Sequence, residues 1–346
     1  ATGRRDDALA IARTANMAAP GDVAVAQNAA ALLIEKGYNQ EASEVAARLV
    51  AKAPRVDRDV ARTAAGIYLQ VDLPVRATQA LMRVLGREND LTLEPLLVQA
   101  LVAAGRSDDA IDRLRRTLRD QPRNLDLREE IASLLAKNGK LADGLRMASE
   151  IRKFDQVRGV LVEARMRDEV GQIQSAVALL RKAARTNRDG RVSRRLFVVE
   201  QKASNDPEVR AAALAQLAKW VDANPQDSAS AVLLGNTYLE AGDLQAADKA
   251  LTKALTARRY DPVVLNNLAW TRYRLGRAGA EGLAKRAYLI NPNDPQIIDT
   301  YGVTLTKPGS LKDAVRLLRE ALARAPQDKA IEQHLAAAQI ALAGGR

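Results

Sequence analysis

The sequence predicts an all-α fold, a solenoid in which antiparallel helical hairpins stack side by side. Two observations predict it. Hydrophobic residues make up 47% of the 346 residues, yet aromatic residues make up only 3%, so the apolar content comes mainly from Ala, Leu and Val. A frame of small, large and proline positions also recurs about every 34 residues, the period of a two-helix unit. One hairpin cannot bury its apolar face alone, so small side chains at the helix crossings are expected to let successive units share a core.

The composition excludes several classes of catalytic and metal site. The chain has no Cys and a single His, so it cannot form a disulfide, a thiol nucleophile, a Cys-ligated zinc site or a multi-His metal site. The sequence contains no Gly-rich phosphate-binding fingerprint and no nucleophile elbow. His334 is predicted to be a solvated or half-buried histidine on a helix. We therefore predict no catalytic residue, no metal and no cofactor.

Each predicted hairpin is marked by its turn. A Gly ends the first helix, because Gly adopts positive φ without steric cost. An Ala follows in the second helix, where a small side chain lets the two helices approach closely. The pairs are Gly105 with Ala110, Gly171 with Ala176 and Gly242 with Ala247.

The predicted elements follow in order from the first residue. Residues 1–22 are predicted to be the second helix of an incomplete unit, so we expect the chain to be a fragment of a longer array. Five units follow over 23–190. In the second of them Asp72 occupies the position of the turn Gly, and Pro74 is predicted to open the next helix. The five ranges are 23–57, 58–90, 91–124, 125–156 and 157–190.

The unit at 191–227 departs most from the frame. Its segment 203–207 predicts a longer turn between the two helices, and Trp220 stands where Ala is expected. Two interpretations stay open, namely a kink between two sub-arrays and a longer surface loop without mechanical meaning. Regular units resume over 228–328, and residues 329–346 are predicted to form a capping helix and a tail. The ranges of the regular units are 228–261, 262–294 and 295–328.

The repeated frame resembles the tetratricopeptide repeat (TPR), and the resemblance covers essentially the whole chain. It implies that the first helices of successive units line a concave groove that binds protein partners. Asn236 and Asn267 stand where chaperone-binding TPR proteins hold the terminal carboxylate of a peptide. Because Val232, Gln296 and Thr300 stand where those proteins need cations, we expect no binding of an acidic chaperone tail. The residues predicted to bind a partner are Asn236, Asn266, Asn267, Trp270, Tyr273 and Arg274.

Two interpretations of the segment Asn266–Trp270 stay open. Its amides, beside Trp270, Tyr273 and Arg274, could grip an extended peptide backbone or the face of a sugar. In the other interpretation, Asn-Asn-Leu-Ala-Trp is a common helix-start sequence and its Trp packs between units.

Excess positive charge is concentrated in one stretch of the chain, whose formal net charge is +11. Residues 157–205 contain 11 Lys and Arg against 5 Asp and Glu. Such a cluster attracts polyanions such as acidic polysaccharide, nucleic acid or anionic lipid, although a solvated face gives the same pattern. Nucleic acid is disfavoured because Phe197 is the one ring close to the cluster in sequence, and RNA readers stack bases on aromatic residues. The predicted basic face is Arg181, Lys182, Arg185, Arg188, Arg191, Arg194 and Arg195.

A narrower resemblance covers residues 214–343. It rests on Asn266-Asn267-Leu268-Ala269-Trp270, Asn291-Pro292-Asn293 and Asp299-Thr300-Tyr301-Gly302. This stretch is similar to the end of large bacterial TPR proteins encoded with exopolysaccharide and PEP-CTERM (exosortase) systems. It is also similar to the periplasmic TPR scaffolds of cellulose, alginate and Pel secretion.

The resemblance implies a non-enzymatic, periplasmic scaffold that holds the protein partners of an exopolysaccharide secretion system, with a basic face that would attract an anionic polysaccharide. One alternative is a cytoplasmic TPR adaptor or regulator that binds a partner's peptide or helix. Another is that the array is the appendage of a larger enzyme. No apolar stretch approaches the ~18 residues needed to span a bilayer, so no transmembrane segment is predicted.

Overall fold

A computed structural model describes residues 2–85, 92–307 and 310–344, with side chains from residue 7 onward. All regular secondary structure in these ranges is helical, and the all-α prediction is confirmed. The chain divides into two compact units, residues 1–170 and 171–346. The predicted boundary between residues 90 and 91 lies outside the described residues.

The first compact unit contains ten described helices, most of them paired as hairpins. Helix α2 packs on α3, α4 on α5, α6 on α7 and α8 on α9. The core between them is rich in alanine, and Ala26, Ala46, Ala61 and Ala77 are fully buried. The helices are α1 Thr2–Ala18, α2 Val23–Glu35, α3 Asn39–Lys52, α4 Arg58–Gln70, α5 Pro74–Leu85, α6 Glu94–Ala103, α7 Ser107–Asp120, α8 Leu125–Lys137, α9 Leu141–Arg152 and α10 Gln156–Glu169.

The second compact unit contains the other ten described helices. Its hairpins are α12 with α13, α14 with α15, α16 with α17 and α18 with α19. The first helices of neighbouring hairpins, α12, α14, α16 and α18, also contact one another in sequence, and α20 continues the row. The helices are α11 Ile173–Thr186, α12 Gly190–Ala203, α13 Pro207–Ala223, α14 Ser228–Glu240, α15 Leu244–Ala257, α16 Pro262–Leu275, α17 Ala280–Ile290, α18 Pro295–Thr304, α19 Leu311–Arg324 and α20 Lys329–Gly344.

The turns within hairpins take the predicted backbone conformation. Gly105 and Gly242 have φ of 74° and 77°, in the left-handed region that favours glycine. Asp72 adopts φ of 57° at the equivalent turn, and Pro74 begins α5. Both predictions for the α4–α5 turn are confirmed.

Aspartate side chains define where the first helices begin. Asp261 Oδ1 accepts hydrogen bonds from the backbone amides of Val263 and Val264, at 3.0 and 3.2 Å. Pro262 follows as the first residue of α16, where its missing N–H costs nothing. Asp294 and Pro295 start α18 in the same way. This N-capping fixes the register of α16 and α18 and therefore the faces that their side chains occupy.

The longer turn predicted at residues 203–207 is wrong. The connection between α12 and α13 is 204–206, the same length as the connection 241–243 between α14 and α15. The additional residues extend α13 instead, which is 17 residues long. The physical reason is that Asp206 accepts a hydrogen bond from the backbone amide of Glu208 and Pro207 occupies the first helical position, which together start the helix at once.

Trp220 has a structural partner at the end of α13. Its indole Nε1 donates to Asp227 Oδ2 at 2.8 Å. Asp227 also accepts from Arg194 at 2.6 Å and from the hydroxyl of Ser230 at 2.6 Å, so it joins α12, α13 and α14. Burial alone would raise the pKa of Asp227, but the hydrogen bonds from Ser230 and Trp220, with the Arg194 charge, lower it below its ordinary value. The kink predicted for this region stays a prediction.

No helix in the described ranges combines the length and the apolar character required to cross a membrane.

Candidate functional site

Three asparagines predicted to bind a partner lie together on α14 and α16. Asn267 Nδ2 donates to Asn236 Oδ1 at 2.9 Å, and Asn266 Nδ2 lies 3.4 Å from Asn267 Oδ1. Asn266 Oδ1 is buried and has no hydrogen-bond partner among the described residues. A buried carbonyl oxygen without a donor is costly. The parts of this amide row that a partner could contact are the half-buried side chains of Asn236 and Asn267.

The aromatic residues of the predicted site lie one turn further along α16. The rings of Trp270 and Tyr273 stack with centroids 6.0 Å apart. Arg274 is exposed and its guanidinium lies 5.7 Å from the Trp270 ring centroid. Arg274 has no carboxylate within ion-pair distance in the part of the chain that the structure describes. It is therefore a cation fixed by an aromatic face and available to a ligand.

Trp270 and Tyr273 also pack on the apolar core. Both rings are half-buried and contact the cluster formed by Val303, Val315 and Leu318. The interpretation in which Trp270 packs between units is thus supported by these contacts. A binding role for its exposed part stays a prediction.

The row continues onto α18 and the residues after it. Tyr273 Oη lies 3.2 Å from Thr306 Oγ1. Lys307 Nζ donates to the Tyr273 carbonyl oxygen at 2.6 Å and lies 4.4 Å from the Tyr273 ring centroid. Lys307 and Thr306, of which only Thr306 was not named from the sequence, are therefore part of the candidate site.

His334 on α20 closes the row. It is half-buried, as predicted, and its Nδ1 lies 2.9 Å from Asp299 Oδ2. Its ring centroid is 5.5 Å from that of Trp270. The hydrogen bond and charge of Asp299 raise the pKa of His334 above its ordinary value, with a smaller contribution from Asp328, while burial acts in the opposite direction. Sequence reasoning missed this pairing, although Asp299 and His334 are 35 residues apart, about one repeat.

The candidate site is thus a polar and aromatic row across four first helices, which we call the α14–α20 row. Its amides, rings and cations can bind an extended chain through backbone hydrogen bonds and ring contacts. Its members are Asn236, Asn266, Asn267, Trp270, Tyr273, Arg274, Asp299, Thr306, Lys307 and His334.

The predicted basic face is partly neutralised. Arg181 pairs with Glu200 at 2.7 Å, Arg191 with Asp189 at 2.9 Å, and Arg194 with Asp227 at 2.6 Å. Arg195 also has an interaction partner. Lys182, Arg185 and Arg188 lack a carboxylate within ion-pair distance in the described ranges. Of the seven residues of the predicted face, these three are therefore the cations without an ion-pair partner in the described ranges.

Comparison with known proteins identifies bacterial relatives that match part of the chain. No family model matches the sequence. The chain is 28% identical over 169 residues to a TPR repeat-containing protein of Pseudomonas aeruginosa, a match that covers 48% of this chain and 28% of that protein. It is 28% identical over 206 residues to cellulose synthase operon protein C of Escherichia coli, covering 53% of this chain and 17% of that protein. The matched part of the chain thus spans less than a third of each of these relatives.

Solved structures superpose on the chain with low scores. The APC/C hetero-tetramer Cut9-Hcn1 covers 96% of this chain at 15% identity, with a TM-score of 0.45. The first TPR domain of Spaghetti, solved with a bound HSP90 peptide, covers 34% of this chain at 25% identity, with a TM-score of 0.32.

Proposed function

The chain is a tetratricopeptide-repeat solenoid, and we propose that it is a non-enzymatic scaffold that holds an extended peptide segment of a protein partner along the α14–α20 row. The observation that carries the proposal is the combination found there. The half-buried amides of Asn236 and Asn267 lie in the same row as an exposed Arg274, whose guanidinium lies over Trp270. An extended peptide brings backbone N–H groups for the first and carboxylate or carbonyl oxygens for the second.

The absence of an enzymatic role is proposed from the residue types of the whole chain. It has no Cys and one His, and that His is engaged by Asp299 and packed beside Trp270. Two carboxylates near the row are likewise held by neighbours. Asp328, for example, accepts from Gln296 Nε2 at 2.7 Å. The arrangement favours holding a partner over chemistry.

We place the scaffold in a bacterial envelope system for exopolysaccharide synthesis or secretion, in the periplasm. The similarity to cellulose synthase operon protein C supports this proposal. The alternative is a cytoplasmic TPR adaptor that binds a partner's peptide or helix through the same row. Attraction of an anionic polysaccharide to the basic face stays a prediction.

The test is affinity purification of the full-length protein from its own host, with the captured proteins identified. Arg274→Glu reverses the charge over Trp270 without touching the core, because this guanidinium is exposed. We expect proteins bound at the row to be at least about tenfold depleted with this variant, the usual cost of losing a central cationic contact.

The matched control is Arg319→Glu. Arg319 is an exposed residue on α19, and its replacement by Glu makes the same change in net charge. Envelope exopolysaccharide components captured by the wild type and by Arg319→Glu, but lost with Arg274→Glu, are the expected result. Equal capture by both variants would contradict a partner site at the row, and capture of cytoplasmic regulators alone would favour the adaptor.

A further inference from the structure

A cavity lies in the second compact unit, away from the α14–α20 row. It is about 460 Å³ in volume and lies between α11, α12 and α13. We call it the α11–α13 cavity. Pockets of this size enclose small ligands or protruding side chains. It is lined by Ala184, Arg188, Ser193, Leu196, Phe197, Glu200, Ala213, Gln216, Leu217, Lys219, Trp220, Ala223 and Asn224.

The inner surface of the cavity is apolar. Leu196, Phe197, Ala213 and Leu217 are each at most 5% exposed and face it from α12 and α13. The indole N–H of Trp220 is already donated to Asp227, so Trp220 presents its apolar ring. A hydroxyl-rich ligand would lose hydrogen bonds to water against this surface without replacing them. An apolar side chain would gain burial there.

The rim of the cavity is positively charged. Arg188 and Lys219 line it, are exposed, and have no carboxylate within ion-pair distance among the described residues. Arg185 lies on the α11 face that also presents Arg181, by helical spacing. The acidic lining residue, Glu200, is 4% exposed and is held by Arg181 at 2.7 Å. The free charge around the opening is therefore cationic.

We propose that the α11–α13 cavity binds an acidic peptide segment of a partner protein by accepting one large apolar side chain, while Arg188 and Lys219 bind carboxylates on either side of it. The apolar floor selects the anchor, and the cationic rim selects its acidic neighbours. Ser193, Gln216 and Asn224 supply polar groups at the wall for the peptide backbone. This site is independent of the row, since it uses none of the same residues.

The test uses tryptophan fluorescence in a Trp270→Phe background. The chain has two Trp, so Trp220 in the cavity wall is then the reporter. The probe is the synthetic peptide acetyl-Gly-Asp-Glu-Phe-Glu-Asp-Gly-amide. We expect a saturable change in Trp220 emission with a Kd of about 100 μM, in the range of weak peptide-anchor contacts. Replacing Phe by Ala in the peptide, or its acids by the amides, is expected to weaken binding at least about tenfold.

Two variants of the protein locate the binding. Arg188→Ser with Lys219→Ser removes the rim charges and is expected to weaken binding about tenfold or more, the effect of losing two charge-assisted contacts. Ala223→Phe narrows the opening from an exposed position and is expected to abolish the signal. All of these residues are exposed, so circular dichroism melts should stay unchanged.

Matched controls distinguish this site from general attraction. Lys285→Ser with Lys312→Ser removes the same net charge elsewhere in the second compact unit, and Ala215→Phe adds the same ring to α13 outside the cavity lining. Both should bind within about twofold of the parent. The proposal is overturned by absent saturation up to about 1 mM, or by equal weakening in the control variants. It is also overturned by equal binding of the Ala peptide, which is the behaviour of a diffuse polyanion site. Arg274→Glu is expected to bind the probe peptide as well as the parent does. Such retained binding shows that the probe does not depend on the α14–α20 row, so failure of one proposal can be distinguished from failure of the other.

Discussion

At the scale of single residues, the candidate site is held by side chains that pair between neighbouring repeats. His334 and Asp299 illustrate this, because α20 and α18 each contribute one half of the pair. Asp299 is 5% exposed, so its carboxylate depends on that partner. The state of His334 therefore affects how firmly α20 is attached to α18, and with it the surroundings of Trp270.

Stability should depend on pH through His334. Its pKa is raised in the folded state by Asp299, so protonation favours folding. The stabilisation is fully present below the unfolded-state pKa and is lost as pH rises through the folded-state pKa. We expect His334→Gln to destabilise by about 1 kcal/mol at about pH 5.5 and by less at about pH 9.

The measurement is the difference in melting temperature between wild type and His334→Gln at both pH values, which removes the effect of groups titrating in both proteins. A difference that is constant with pH, or larger at the alkaline value, would contradict the ion pair.

Residue-scale contacts of the site were partly predictable. Asn236, Asn267 and Trp270 could be placed in one groove because the repeat is visible in the sequence and its resemblance to the TPR implies which positions face the groove. The Asp299–His334 pair and the Tyr273–Thr306 contact could not, because each depends on the sideways offset of two helices and on rotamers. Trp220 was identified as out of place, but its bond to Asp227 requires three helix ends to meet.

At the scale of elements, most of the described turns within hairpins contain a residue in the left-handed backbone conformation. Asp72 occupies it with φ of 57° where Gly105 occupies it with φ of 74°. An L-residue with a Cβ pays a steric cost there, although Asp tolerates it better than most residues. The α4–α5 hairpin is therefore less stable with Asp72 than it would be with a Gly at this position.

Exchanging the residues should move stability in opposite directions. Asp72→Gly is expected to stabilise the chain by up to about 1 kcal/mol, and Gly105→Ala to destabilise it by about 1 kcal/mol. A Cβ at Gly105 would meet no atom within 4 Å, so its cost is conformational and not a clash. Urea unfolding followed by circular dichroism measures both, and a stabilising Gly105→Ala would refute this explanation of the turn.

Among the elements, local turn features could be predicted from the sequence, but the length of one helix could not. Turn glycines and the helix-opening Pro74 were predictable because their physics is local. The length of α13 was not, since Ser204, Asn205 and Asp206 suit a turn of several lengths. In the structure Asp206 is the residue that caps α13, because its side chain accepts a hydrogen bond from the backbone amide of Glu208.

At the scale of the whole molecule, stability is expected to be a sum over units and their neighbours. Each hairpin buries its apolar face against adjacent helices, as in the separate apolar clusters around Ala269 and around Ile298. In such arrays a local defect weakens its neighbours first and distant repeats little.

Hydrogen exchange tests this expectation directly. Leu49 on α3 is fully buried, and Leu49→Ala should cost about 3 kcal/mol. We expect amide protection to fall in α2–α5 and to stay nearly unchanged in α18 and α19. Leu317→Ala, at an equally buried position on α19, should lower amide protection in α18 and α19 and leave it nearly unchanged in α2–α5. Uniform loss of protection in both variants would instead show one cooperative unit.

The contacts of the α14–α20 row have a mechanical consequence. Asn236 with Asn267, Tyr273 with Thr306, and Asp299 with His334 are separated by 31, 33 and 35 residues, so each one fastens a first helix to the next. These three contacts set the spacing of α14, α16, α18 and α20. A force that spreads these helices would strain all three contacts at once. A partner that lies across several of them would stiffen this stretch against pulling.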